Sequence, residues 1–189
     1  LKVDAENLPA ITFSASEKLN VGDVVLAIGN PFGVGLAVSQ SINSALGRNH
    51  LGINTYENFI QTDASINPGN SGGALIDTEG NLIGVNSAIY SRNGGSMGIG
   101  FAIPANIAKQ VMEQIVATGS VTRGWVGIEA QDITPELAES FKLPQARGSL
   151  IAGVLKNSPA DVAGIKAGDV LLAINDNEIA DSSNMLNLI

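Results

Sequence analysis

The chain has 189 residues, 44% of them apolar and only 4% aromatic, and a formal net charge of −8. That length suits one large domain or two small ones, with a core resting on Val, Ile, Leu and Ala. The acidic balance, with no Lys/Arg run, argues against a nucleic-acid partner, and zero cysteines exclude disulfides, thiolate metal sites and a cysteine nucleophile.

Leu1-Lys2-Val3-Asp4 reads as the tail of a strand, with no signal peptide before it. No stretch reaches the roughly 18 to 20 apolar residues that a membrane span needs. Short strands are then expected at 24–28, 37–46, 58–63, 73–76, 82–89 and 98–103. Turn residues separate them, among them Gly29-Asn30-Pro31 and Thr78-Glu79-Gly80-Asn81. Such regular spacing predicts a barrel or sandwich.

The period changes at residues 104–118. Ile107, Val111 and Ile115 recur every four residues, flanked by Ala108 and Met112, which predicts a helix with one core-packing face. Pro104 suits its first turn and Gly119 its end. A second pattern follows a short linker. It has strands at 125–130, 150–155 and 169–174, helical segments at 135–141 and 158–163, and a helix from Ser182. That last helix reads as cut short at Ile189, so the chain is taken as part of a longer protein.

The segment richest in chemistry is Asn67-Pro68-Gly69-Asn70-Ser71-Gly72-Gly73. A serine between glycines on a tight turn exposes its hydroxyl, and the turn gathers backbone N–H groups that can hold an oxyanion. Gly72 and Gly73 are expected to leave room for a substrate backbone. A structural Gly-rich turn is the competing reading. The following segment, Val85-Asn86-Ser87-Ala88-Ile89, is placed to pair with a substrate strand.

The run from Phe59-Ile60-Gln61-Thr62-Asp63 through Asn70-Ser71-Gly72-Gly73-Ala74-Leu75 resembles the HtrA family of trypsin-like serine proteases. So do Ala27-Ile28-Gly29-Asn30-Pro31-Phe32-Gly33 and Gly98-Ile99-Gly100-Phe101-Ala102-Ile103-Pro104. Ser44-Ala45-Leu46-Gly47-Arg48 and Arg123-Gly124-Trp125-Val126-Gly127-Ile128 look most like the DegS/AlgW branch. The resemblance implies a mostly β fold. Residues 1–118 would be the C-terminal barrel part of a trypsin-like protease and 119–123 a linker. Residues 124–189 would be a circularly permuted PDZ domain (α+β) that is incomplete at its C-terminal end.

It further implies a Ser-His-Asp triad with Ser71 as nucleophile and the N–H groups of Gly69, Asn70 and Ser71 as oxyanion hole. Ile66, Ser87, Ala88, Ile89 and Tyr90 would line the specificity pocket or pair with substrate. That pocket would take a small or medium apolar side chain. Gly124, Trp125, Val126, Gly127 and Ile128 match a loop that binds a C-terminal carboxylate. The triad aspartate and histidine would lie before Leu1, so these residues alone are expected to be inactive.

His50 is the only histidine. As a triad base it stands in the wrong order, and it is read as an exposed loop residue. Without partners it makes no metal site, and no cofactor is called for. Asp63 is read as a structural carboxylate, not a triad acid. Asp77 and Glu79 read as a hairpin tip, and Asp132, Glu136 and Glu139 as an exposed face.

The implied function is a serine endopeptidase of envelope protein quality control or stress signalling. It would cut unfolded or exposed segments and be regulated by C-terminal peptides at the PDZ domain. The resemblance also implies a homotrimer in the periplasm. In the DegS/AlgW branch it adds an anchor to the inner membrane and a membrane-bound anti-sigma factor as substrate. The alternative is a peptide-binding or chaperone-like module with an inactive protease half.

Overall fold

A computed structural model of the chain describes residues 4–14, 18–91 and 93–189. The strand tail expected at Leu1-Lys2-Val3 lies outside them. The chain divides into two compact units. One takes in the chain up to Asn49 and then Asn58–Val121, and the other His50–Glu57 and Thr122–Ile189.

In the first unit, six strands close into an antiparallel barrel. They are β1 (Val24–Gly29), β2 (Ala37–Arg48), β3 (Phe59–Thr62), β4 (Ala74–Ile76), β5 (Leu82–Ile89) and β6 (Gly100–Pro104), in the order β1-β2-β3-β6-β5-β4. Val25, Ala27, Ile60, Ala64, Ile66, Leu75, Ile83 and Ala102 fill the interior. Three of the eight are alanines, and small inward side chains let so few strands close on themselves. Asp63 ties β2 to the end of β3, accepting from the Ser41 hydroxyl and, at 3.1 Å, from the Ile42 N–H. These two donors hold its carboxyl below the usual carboxylate range.

Helix α1 (Ala105–Thr118) packs on β5 and β6 and ends at Gly119, whose φ of 79° is the left-handed cap glycine favours. Pro104 sits one place earlier than expected, as the N-cap. The expected core stripe is only half realised. Ala105 is buried and Ile107, Ala108 and Val111 are half-buried, but Met112 and Ile115 are 46% and 49% exposed. The helix runs on past the two strands that cover its first turns.

The second unit holds a sheet of β7 (Ile128–Asp132), β8 (Ser149–Val154) and β9 (Val170–Leu171), in that order. A small hairpin of β10 (Ala173–Ile174) and β11 (Asn177–Glu178) accompanies it. Helices α2 (Pro135–Ser140), α3 (Pro159–Ala163) and α4 (Ser182–Leu188) are capped by Thr134, Ser158 and Asp181, whose side chains accept N–H groups of the first turn. Ile133, Ala138 and Leu150 form a core cluster, and Ile151, Ile179 and Met185 are also fully inside.

Two expected strands are corrected here. The one at 125–130 begins only at Ile128, because Gly127 has a φ of 79° and breaks the extended run. The one at 169–174 divides into β9 and β10 at Leu172, whose carbonyl accepts the Ile179 N–H at 2.9 Å.

Candidate active site and peptide-binding edge

Ser71 stands on two successive turns. In the first, the Asn70 N–H donates to Asn67 O at 2.9 Å, with Pro68 second and Gly69, at φ 104°, third. Proline followed by a positive-φ glycine is the type II pattern. In the second, the Gly73 N–H donates to Asn70 O at 2.9 Å, with Gly72 at φ 83°. Ser71 is thus the leading corner of the second turn, and it is exposed. The turn then joins β5 through Gly72 N to Asn86 O (2.8 Å) and Asn86 N to Gly73 O (2.9 Å).

Behind the turns lies the segment after β1. Phe32 N donates to Pro68 O at 2.7 Å and Asn30 N to Gly69 O at 3.4 Å. Carbonyl and N–H of a trans peptide point in opposite directions, so holding Pro68 O against Phe32 turns the Gly69 N–H away from that segment. A Cβ on Gly69 would lie 2.2 Å from Asn30 O, and one on Gly73 2.1 Å from Ile28 O. Glycine is required at 73 because β1 packs there. The room expected for a substrate backbone at Gly73 is taken by the protein's own backbone, and only Gly72 faces open space.

The expected oxyanion donors separate. The Asn70 N–H is spent on Asn67 O, which corrects its expected place in the donor set. Among the described residues, the N–H groups of Gly69 and Ser71 donate to no backbone carbonyl. The Asn70 side chain is buried, and its Nδ2 donates to Ser65 O at 3.1 Å.

Ser71 Oγ donates to the backbone carbonyl of Ser87 at 3.0 Å. That carbonyl is accessible because β5 bulges there. Asn86 pairs with Ala102 and Ala88 with Phe101, so Ser87 is the extra residue. Ala88 and Ile89 follow half-buried, and Tyr90 is 57% exposed. Ile66 is 1% exposed and packs over Gly100, where a Cβ would meet its Cγ1 at 2.7 Å. It therefore belongs to the barrel core and backs the start of β6 from inside.

Asn86 carries a structural role that no motif in the sequence marks. Its buried amide donates to Ile28 O (3.1 Å) and Ala74 O (3.2 Å), tying β5 to β1 and β4 directly behind the Ser71 turn. The one available signal was an asparagine inside the apolar run Leu82-Ile83-Gly84-Val85-Asn86.

In the second unit, residues 124–127 lead into β7. Leu155 N donates to Gly127 O at 2.9 Å and Ala160 N to Val126 O at 3.0 Å. A Cβ on Gly127 would lie 2.3 Å from Ser158 Cβ, so the loop closes tightly on the start of α3. Trp125 is 64% exposed. β7 is the edge of its sheet, with β8 on one side only, and α4 lies nearby.

His50 belongs to this unit. Its Nε2 is 2.9 Å from Asp132 Oδ2 and 3.4 Å from Ser183 Oγ. Asp132 also accepts the Ser182 N–H (2.8 Å) and hydroxyl (2.6 Å). Burial raises its carboxyl pKa, but Ser182 and the His50 charge outweigh that and lower it. Asp132 is therefore a bonded carboxylate, which corrects its reading as part of an exposed face. The His50 Nε2 thus faces a carboxylate, whereas a triad histidine turns Nε2 to the nucleophile and Nδ1 to the acid.

The comparisons with known proteins agree with this architecture. Residues 1–85 match the family model of the trypsin-like peptidase domain, and residues 150–189 that of the PDZ domain. The fold is thus that of a trypsin-like peptidase barrel followed along the chain by a PDZ domain. Over its whole length the chain is 50% identical to a probable periplasmic serine endoprotease, DegP-like, of Chlamydia muridarum (strain MoPn / Nigg), covering 38% of that protein. It is also 50% identical to one of Hahella chejuensis (strain KCTC 2396), covering 40% of it. A solved structure of the HtrA-type protease AlgW with tripeptide matches with a TM-score of 0.86 and 56% identity, over 98% of this chain and 62% of that one. The serine endoprotease from Yersinia pestis matches at 40% identity with a TM-score of 0.66, over 98% of this chain and 58% of that one. The chain is similar to HtrA-type proteases over nearly its whole length, and it spans well under half the length of the curated relatives it matches.

Proposed function

We infer that the parent protein is a periplasmic serine endoprotease that cuts exposed segments of other proteins by acyl transfer at Ser71. The observation that carries this is the corner position of Ser71, with the unspent N–H groups of Gly69 and Ser71 on the same turns. In the reaction, a base takes the Ser71 proton as Oγ attacks the scissile carbonyl. Negative charge develops on the carbonyl oxygen and is met by those two N–H groups. The same base then protonates the leaving amine, and water releases the acyl group. On this reading the base is not His50, whose Nε2, the nitrogen a triad histidine turns to its nucleophile, is 2.9 Å from Asp132 Oδ2.

The substrate strand lies along Ser87, Ala88 and Ile89, and the side chain before the cut is small or medium and apolar. The edge of β7 takes a C-terminal peptide by strand addition, with its carboxylate at residues 124–128. Support comes from the open edge of β7 and from relatives solved with bound peptides. Such a peptide raises protease activity. We place the protein nearer the AlgW and DegS proteases, working as a homotrimer in envelope stress signalling. On that placement it is anchored to the inner membrane and cuts a membrane-bound anti-sigma factor.

The test is proteolysis of an unfolded protein by the full-length protein, with and without a C-terminal peptide. Cleavage that rises with peptide and vanishes in Ser71→Ala supports the reading. Peptide binding without any cleavage would favour the alternative, a peptide-binding module with an inactive protease half.

A further inference from the structure

Asn67 opens the first turn, and its side chain leaves that turn for a different loop. Its Oδ1 accepts the Ser96 N–H at 2.8 Å, and its Nδ2 reaches Ser65 O at 3.4 Å. Its own carbonyl accepts the Asn70 N–H that closes the turn. A backbone N–H must meet an acceptor, so the Ser96 contact itself selects the oxygen of the Asn67 amide.

The described residues of the partner loop are tied at base and tip. Tyr90 N donates to Ile99 O at 3.0 Å and closes its base. At its tip, Ser91 Oγ accepts from Gly94 N (2.8 Å) and donates to Gly95 O (2.7 Å). The loop follows directly on β5, the strand that carries Ser87, Ala88 and Ile89. One side chain thus joins the turns that hold the oxyanion donors to the loop beyond the substrate-pairing strand.

We propose that Asn67 is a positioning residue for acyl transfer at Ser71. Through Ser96 it fixes the opening residue of the first turn, and through that turn the direction of the Gly69 and Ser71 N–H groups. The proposal rests on the reading of Ser71 as nucleophile. Donors to a developing oxyanion act only when correctly aimed, and a small misplacement lowers the rate more than it lowers ground-state binding.

The experiment uses the full-length protein with a fluorophosphonate probe and a peptide substrate, with rates expressed per active site by titration. Wild type must label and Ser71→Ala must not; if wild type fails to label, it is the nucleophile reading that falls. Asn67→Ala removes the acceptor, and its labelling rate and kcat per site should fall about tenfold, the scale of one lost hydrogen bond, with KM changing less. Asn67→Asp keeps an acceptor for Ser96 and should recover to within about threefold of wild type, since only the weaker Nδ2 contact is lost. A merely structural role would lower the fraction of active protein and leave per-site rates unchanged. That result, or an Asn67→Asp protein as slow as Asn67→Ala, overturns the proposal.

Discussion

The hydroxyl of Ser71 donates to the backbone carbonyl of Ser87 at 3.0 Å, and Ser87 is the bulged residue of β5. One carbonyl therefore sits both beside the reactive oxygen and on the strand along which substrate is proposed to lie. The bulge places it there, since a regular β5 would direct it into the ladder with β6.

Gly73 has no space for a side chain, with Ile28 O 2.1 Å from the position of a Cβ. Gly73→Ala must push β1 and the nucleophile turn apart. We expect about 2–3 kcal/mol of destabilisation, within the range for overpacking a tight site. Fluorophosphonate labelling should be lost even at temperatures where the protein is folded. Thermal denaturation and labelling of the same sample check both.

Asn86→Ala removes two buried hydrogen bonds and leaves Ile28 O and Ala74 O without their donor. The expected cost is about 1–3 kcal/mol, read from urea denaturation. Asn86→Asp should be no better, because a carboxylate supplies no donor to either carbonyl.

Glu57 is buried, and its carboxylate accepts from Leu51 (2.6 Å), Ile53 (2.6 Å) and Asn54 (3.0 Å). Burial by itself raises its pKa. The three N–H groups and the His50 charge outweigh this and lower it from 4.5. A depressed carboxylate stabilises the fold above its unfolded pKa, and this is lost as pH falls through the folded value. Stability should therefore decline below about pH 4.5, and Glu57→Gln should flatten that decline while lowering stability at pH 7. Denaturation midpoints between about pH 3 and 7 give the comparison.

Gly127 packs against Ser158, and its φ of 79° disfavours any side chain. Gly127→Val should distort the loop before β7. We expect C-terminal peptide binding to weaken at least about tenfold, because the loop N–H groups lose their common aim. Fluorescence anisotropy of a labelled peptide measures it, and unchanged affinity would remove residues 124–128 from the carboxylate role.

The parts legible in the sequence were those with local patterns. A short apolar run marked β1, alternation marked β2, the turn Thr78-Glu79-Gly80-Asn81 marked β5, glycines marked the Ser71 turns, and Gly119 marked the end of α1. What stayed hidden was contact between distant residues. The backbone bonds from Asn30 and Phe32 to the first turn leave no periodic trace, and neither does the side-chain reach of Asn86 or Asn67. His50, Asp132 and Ser182 come together across up to 132 positions, which no local window contains. Strand ends also moved, as at Gly127, where a single positive φ decided the boundary.

The most direct measurement is mass mapping of the full-length protein after reaction with a fluorophosphonate. One covalent adduct is expected, on the peptide carrying Ser71, formed faster when a C-terminal peptide is present. An adduct on another serine, or labelling that persists in Ser71→Ala, would contradict this expectation.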